Sequence, residues 1–482
     1  MLGVRSKSLM RILLYSAAIA LLVSPVDSRG KPPISTPRDT PVVGDLDNYL
    51  LTTLYKVKDT DTGLVEITRE QQFKELITKH DLRLLGGPML GCVTDTSARF
   101  WVRTPGPANV EVIVEERRSA VVRTGPENDY TALIDIQDLQ PSTSYAYEVL
   151  VDGESAFGRE KPEFRTFPSE GQKAAFKVAF GGGARYNPAK EGMWDVIAAH
   201  SPDAFLFLGD NVYIDHPLSR TKQRVHYYRR QLRPEFKRLI ASTAVYAVYD
   251  DHDLGRNDFA GGLDPFRPDW KFQSWKVFRE NWNNPYYGGG HQQPGCWVDF
   301  SIGDVDFFML DNRYYRSFEE GTMLGPVQKN WLLTKLKASN AKFKVIASGT
   351  LWTEHADKEG KDSWWGVKDE REDIFGFIDR EKIGGVILLS ADRHRTDVYR
   401  IKRPNGYDLY EFETSKLTND HSHPIKKRAL FSFNEGNFFG LLLFDLTKAD
   451  PEVTFRCITM EKEVVYELTL QRSQLQARDG NP

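Results

Sequence analysis

The chain has 482 residues, with 64 Lys and Arg against 67 Asp and Glu, and so a formal charge of −3. A 40% hydrophobic share with 28 Phe, 20 Tyr and 10 Trp supplies a large core and excludes global disorder. The near balance of charge excludes a protein built mainly to coat nucleic acid, and three cysteines without a CxxC pair exclude a disulfide-stapled scaffold and a thiolate zinc site.

Arg5, Lys7 and Arg11 precede an apolar run from Ile12 to Val23, which ends in Ser24-Pro25-Val26-Asp27-Ser28. A basic start, a short apolar stretch and small residues at a cut site predict a secretory signal peptide over residues 1–28, with an uncleaved N-terminal anchor or a lipid-facing helix as the alternatives. The run falls short of the about 20 residues that a membrane span needs, and no later stretch qualifies. The folded part is therefore expected outside the cytoplasm, secreted or periplasmic. A disulfide is permitted there, but Cys92, Cys296 and Cys457 sit in apolar, strand-like contexts and are expected as buried free thiols. Residues 29–44 are rich in Pro, Ser, Thr and Gly and predict a linker. Helical spacing of Leu46, Tyr49, Leu50 and Leu54, then Phe73, Leu76 and Ile77, predicts short helices up to residue 85.

Between residues 86 and 168 the pattern alternates with period two, as in Ser144–Val151, and Pro-Gly, Pro-Ser and Asp-Gly turns separate the runs. Several short strands over about 80 residues predict a small β-sandwich of the fibronectin type III or immunoglobulin kind. From residue 170 to 472 the texture becomes short, wholly apolar runs separated by helix-compatible segments, which predicts an α/β core.

The chemistry follows directly after those strands, where open α/β sheets bind ligands. Phe180 leads into Gly181-Gly182-Gly183-Ala184-Arg185, and Leu208 into Gly209-Asp210-Asn211-Val212-Tyr213. Tyr249 leads into Asp250-Asp251-His252-Asp253 with Asn257-Asp258, Leu310 into Asp311-Asn312-Arg313, and Leu389 into Ser390-Ala391-Asp392-Arg393-His394. Each motif alone has a plain structural reading: a turn, a solvated acidic loop, or for Arg313 a pairing with a neighbouring acid. Together they bring carboxylates to one rim, and crowded like charges call for a cation among them. Glu354 and His355 lie in a plausible rim loop, with a solvated loop as the plainer reading. Segments 264–282 and 352–365, rich in Trp, Phe, Lys and Arg, would either receive a second ester substituent or roof the site.

These blocks, with Leu310–Arg316, Gln328-x-x-Trp331-Leu332, Asn437-Phe-Phe-Gly440 and the upstream Gly87–Arg99, resemble the signature of the alkaline phosphatase D (PhoD-like) family of calcineurin-like metallophosphoesterases. The resemblance implies a four-layer αββα sandwich, preceded here by the small β-sandwich, and two metal ions bridged by an aspartate. It makes Asp210 the bridging ligand, Tyr213 as phenolate and His394 the further ligands of one metal, and Asp251, Asp392 and Asn257 those of the other. His252 becomes the proton donor to the phosphoryl or leaving oxygen. Arg185 and Arg313 are candidates to hold a non-bridging oxygen, since guanidinium pairs phosphate bidentately. The family's iron-binding cysteine after its first strand is absent, with Gly181-Gly182-Gly183 in that loop. The family pair of Ca²⁺ with Fe³⁺ thus stands beside Mn²⁺, Mg²⁺ or Zn²⁺. Ala391 also replaces the usual Gly before the last Asp, which is a tolerable backbone change.

The implied reaction is attack of a metal-bound hydroxide on a small-molecule or polymeric phosphoric ester. Monoesterase and diesterase are not separable from these residues. The rival from another class is a surface binding or adhesion protein carrying a degenerate catalytic domain. No specific nucleic-acid binding is implied, and no membrane span beyond the signal peptide.

Overall fold

The computed structural model describes residues 42–56, 61–356 and 361–476. The expected signal peptide at 1–28 and nearly all of the linker lie outside the described residues. Short helical turns at Gly44–Leu50, Leu51–Tyr55, Gly63–Glu66 and Gln71–Lys79 bury Leu46, Leu50, Leu54 and Phe73 in a small core. Val225 and Tyr228 of helix Arg220–Gln231 close that core, so the N-terminal helices are seated on the α/β part.

Residues 86–165 form two antiparallel sheets. One orders Gly86–Gly91, Ala98–Arg103 and Thr131–Ile136, and the other is built around Ala108–Val114 and Ser144–Val151. Alternation sends Tyr145, Tyr147, Val149 and Val151 inward along the last of these, and Phe100 of the facing sheet meets Tyr147 with ring centres 4.5 Å apart.

The rest is an αββα sandwich. A six-stranded sheet runs Ala244–Val248, Ala204–Leu208, Ala175–Gly181, Phe438–Asp445, Glu452–Thr459, Val464–Gln471, with its first three strands parallel. A seven-stranded sheet has a parallel centre of Val305–Met309, Phe343–Ala347, Val386–Ser390 and Leu409–Thr414. These central strands are wholly buried or nearly so because both faces are covered, which is why they lack polar alternation. Aromatic side chains join the sheets face to face: Phe412 stacks on Phe455 at 4.4 Å and Tyr246 on Phe300 at 3.6 Å. On the outer faces, Trp194 of helix Met193–Ala199 packs on Phe207, and Trp331 of helix Gly325–Ala338 on Phe308.

A parallel bridge between Gly182 and Ser415 ties the two sheets together at the carboxyl ends of their strands. Cys92, Cys296 and Cys457 are free thiols, the latter two buried. No helix among the described residues is long and apolar enough to cross a membrane.

Candidate active site

The site grows from sharp turns at strand ends. Asp210, Tyr213, Asp215, Asp258, Asp392 and His394 all hold a left-handed backbone, with φ of 55°, 51°, 54°, 59°, 83° and 48°. Such φ values are uncommon for residues with a Cβ and collect where surrounding structure over-determines them. The first turn needs Gly209, at φ 102°, because a Cβ there would lie 2.5 Å from the Asp250 Cβ. Asp253 secures the loop by accepting from the backbone N–H groups of Asn211 (2.8 Å) and Val212 (3.0 Å). It also caps the turn that carries Asp251 and His252.

Ligand atoms of Asp210, Asp251 and His252 lie within 4.8 Å of one another, and so do those of Asp251, Asp258 and Asp362. Tyr213 stacks on His252 with ring centres 4.5 Å apart, and its hydroxyl is 3.4 Å from His394 Nε2. Asn419 donates to that hydroxyl at 2.6 Å. His252 Nδ1 is 2.7 Å from Asp215 Oδ1. Arg313, fully buried, donates through Nε and a terminal nitrogen to Asp250, the latter at 2.9 Å, and to Asp362 at 2.6 Å.

Burial pushes the Asp210 carboxyl well above its ordinary value, and Asp251, Asp250 and Asp253 add to the rise against the opposing His252. Burial also raises Asp251, but Arg313 and His252 outweigh it and hold that carboxyl below its ordinary value. Burial works against a charge on His252; Asp251, Asp210 and Asp215 overcome it and lift the imidazole well above its ordinary value, which favours the protonated ring. Burial, then His421 and His423, lowers His394 to about 3, leaving the neutral imidazole that ligates metals. Burial, followed by Asp210, pushes the Tyr213 phenol well above its ordinary value, so the expected phenolate requires an adjoining cation.

A cation suits these donors. Asp210 Oδ1, Asp392 Oδ2 and His394 Nδ1 are buried without a hydrogen-bond partner among the described residues, which is costly unless something else satisfies them.

A family model described as PhoD-like phosphatase matches residues 178–449, more than half of the chain. The chain belongs to the PhoD-like phosphatase family. A second model, a domain of unknown function (DUF7800), matches residues 81–169. Alkaline phosphatase D of Bacillus subtilis (strain 168) is 25% identical over 350 residues, 60% of this chain and 58% of that protein. The chain thus matches somewhat over half of that relative's length. A solved structure of PhoD superposes with a TM-score of 0.69 at 16% identity, over 83% of this chain and 93% of that one. Purple acid phosphatase PPD1 from yellow lupin (Lupinus luteus) seeds gives 0.60 at 12% identity, over 80% and 74%. At these identities the likeness is one of fold, and it is the αββα metallophosphoesterase-like fold expected from sequence.

Within this PhoD-like fold the strand-end residues Asp210, Tyr213, Asp251, His252, Asp392 and His394 come together, and others do not. Asn257 and Asp258 are both exposed; the backbone N–H of Asp258 donates to Asp251 Oδ2 at 2.5 Å, and a carboxylate oxygen of Asp258 lies within 4.8 Å of Asp251 and Asp362. Arg313, expected on the substrate, is consumed by Asp250 and Asp362, because a buried carboxylate cluster needs an internal counter-charge. Arg185 is half-buried, with no ion-pair partner among the described residues. Glu354 is exposed and His355 half-buried beside it, 3.7 Å apart. Trp275, Trp282, Trp352 and Trp364 are buried in the core, whereas Trp270 and Trp365 of the same segments are half-buried and Phe266 is exposed. Asp215, Asp362 and Asn419 were missed. Asp215 lies in the Gly209–Tyr213 neighbourhood and was findable, whereas Asp362 and Asn419 arrive from distant segments without a motif.

Proposed function

We propose that this chain hydrolyses phosphoric esters at a two-cation site, with phosphomonoesters as the preferred class and diesters as the alternative. The observation that supports this best is the trio of buried ligand atoms without a hydrogen-bond partner among the described residues, Asp210 Oδ1, Asp392 Oδ2 and His394 Nδ1, amid mutually repelling carboxylates. Asp210 has two oxygens to share and would bridge; Tyr213 and His394 would hold one cation, Asp251 and Asp392 the other. When bound, such a pair acidifies water and neutralises charge on the phosphoryl oxygens.

The chain's own residues supply the rest. Asp215 accepts from Nδ1 of His252, which leaves Nε2 for the site and adds to the pull of Asp251 and Asp210 toward the protonated ring. His252 is then the donor to the departing oxygen, and the Tyr213 ring stacked on it fixes its plane. Arg185, with its guanidinium uncommitted among the described residues, is the candidate to hold a phosphoryl oxygen. Arg313 is a positioning residue that braces Asp250 and Asp362. The basic and then apolar N-terminus supports a signal peptide and a place of action outside the cytoplasm.

The test strips the purified chain with chelator, restores Ca²⁺, Mn²⁺, Fe³⁺ or Zn²⁺ singly and in pairs, and follows a chromogenic phosphomonoester and its diester counterpart. Metal-restored turnover that Asp210→Asn abolishes is the expected result, and the ratio of the two substrates decides the ester class. A folded protein that turns over neither ester with any cation would overturn the reading in favour of a binding protein with a degenerate site.

A further inference from the structure

We propose that the amino-terminal helical turns belong to the catalytic unit, with Tyr55 a positioning residue that acts through His216 and Asp215 on the proton donor His252. This rests on the role proposed for His252 and goes beyond it, because it gives a segment outside the αββα sandwich a part in the reaction. The Tyr55 hydroxyl lies 2.6 Å from His216 Nε2, and the two rings meet edge to face with centres 5.4 Å apart. Residue 216 follows directly on Asp215, whose Oδ1 is 2.7 Å from His252 Nδ1.

The loop 213–216 grips His252 by its backbone as well as by its ring. Ile214 N and Asp215 N donate to His252 O at 2.8 and 3.1 Å, while the Asp215 carboxylate faces Nδ1. Asp215 keeps this grip at φ 54°, a left-handed backbone that persists only where the surroundings over-determine it. His252 supplies that constraint on the inner side. On the outer side His216 is held by both its carbonyl and its ring: Ser219 N and Gln223 Nε2 donate to His216 O at 3.3 and 3.0 Å, and Tyr55 meets the imidazole. Tyr55 can serve as a fixed post because it is itself locked by packing. It is 6% exposed in the small core that Val225 and Tyr228 close, with Lys222 Nζ 5.6 Å and the His226 ring 5.7 Å from its ring centre. The same turns are seated on helix Arg220–Gln231 by Asp47 with Arg229 at 2.6 Å, Gly63 N to Thr221 Oγ1 at 3.1 Å, and Arg224 to Asp61 O at 2.9 Å. A reacting group must be held to within about 0.5 Å, and only supporters that cannot move can do so.

The experiment uses the full chain with the cations that restore its turnover, and compares an alkyl phosphomonoester with its nitrophenyl counterpart. Tyr55→Phe removes one hydroxyl and keeps the ring. It should lower kcat on the alkyl ester about tenfold, keep KM within about twofold, and leave nitrophenyl turnover nearly unchanged, since a badly aimed acid is felt only where the leaving oxygen needs its proton. His216→Phe should give the same selective loss, and Tyr55→Phe/His216→Phe no more than either single variant. Should Tyr55→Phe not fold by thermal melt, His216→Phe carries the test alone. With His252→Ala selective for the alkyl ester, an equal loss on both esters in Tyr55→Phe, or none on either, would overturn the proposal and leave the two-cation hydrolase standing. A His252→Ala loss equal on both esters would remove the acid and this proposal with it, again sparing the hydrolase. A wild type that hydrolyses neither ester would overturn both readings.

Discussion

His252 separates chemistry from mere charge at this site. If it protonates the departing oxygen, His252→Ala lowers turnover about 10²–10⁴-fold for esters with poor, alkyl leaving groups and much less for nitrophenyl esters, whose leaving group needs no proton. Equal losses on both would contradict the role. Asp215 tunes the same proton. The folded pKa of His252 is raised partly by Asp215, so Asp215→Asn lets the ring deprotonate at lower pH. The alkaline limb of the kcat/KM profile should move toward acid, which a pH–rate series measures directly. Away from the chemistry, Glu411 is wholly buried, accepting from Ser390 Oγ at 2.6 Å and Trp352 N at 2.8 Å. Burial raises it from 4.5 to about 7 against those hydrogen bonds. A raised folded pKa favours the native state fully below pH 4.5, and this contribution is lost as pH rises through about 7. Glu411→Gln should therefore shrink the fall in Tm between pH 5 and pH 8, and an unaltered slope would show that Glu411 does not titrate there.

At the scale of elements, the strand-end turns do the positioning. The strand Ala204–Leu208 is buried throughout and parallel to both neighbours, so its carboxyl end can only point at the rim. Gly209 then reverses the chain within one residue against Asp250. Gly209→Ala would need a left-handed φ and a displaced Asp250. It should cost at least about 1–3 kcal/mol in urea unfolding, with metal binding lost along with the turn. A silent substitution would mean that the turn is softer than its contacts imply. The Asp250–Leu254 turn is held by its own capping carboxylate, which explains why so short a helical element carries two site residues.

For the whole molecule, the amino-terminal sheets are joined to the αββα sandwich by buried polar contacts. Arg103 is 0% exposed, lies 3.3 Å from Asp129, and donates to Asn281 Oδ1 at 3.0 Å; Trp101 Nε1 donates to Glu280 O at 2.9 Å, and Tyr147 to Ala241 O at 2.9 Å. Arg103→Met would take one of two counter-charges from Asp129 and Glu280, leaving them to Arg224, and should cost about 1–3 kcal/mol. Calorimetry of the wild type should then show one cooperative transition across residues 86–470. Two well-separated transitions would show that the sheets fold independently and the contact is incidental.

The α/β architecture was legible because runs such as Ala204–Leu208 and Val386–Ser390 are apolar on both faces, a pattern that only strands covered on both sides can satisfy. The rim was legible for the same reason, since polar residues that follow a buried strand emerge together at its carboxyl end. That reasoning placed Asp210, Asp251, His252, Asp392 and His394 in one neighbourhood. It could not say which guanidinium faces substrate and which is spent on carboxylates, because Arg313 is claimed by Asp362, a residue from a different loop. It passed over Asn419, which has no fixed spacing to the strand-end motifs and reaches Tyr213 only through a loop hydrogen-bonded across Gly182 and Gly183. Local apolar pattern is carried by neighbouring residues and so can be read in sequence. Donor pairing is settled by which buried charge finds which partner across the fold, and only the tertiary structure decides that.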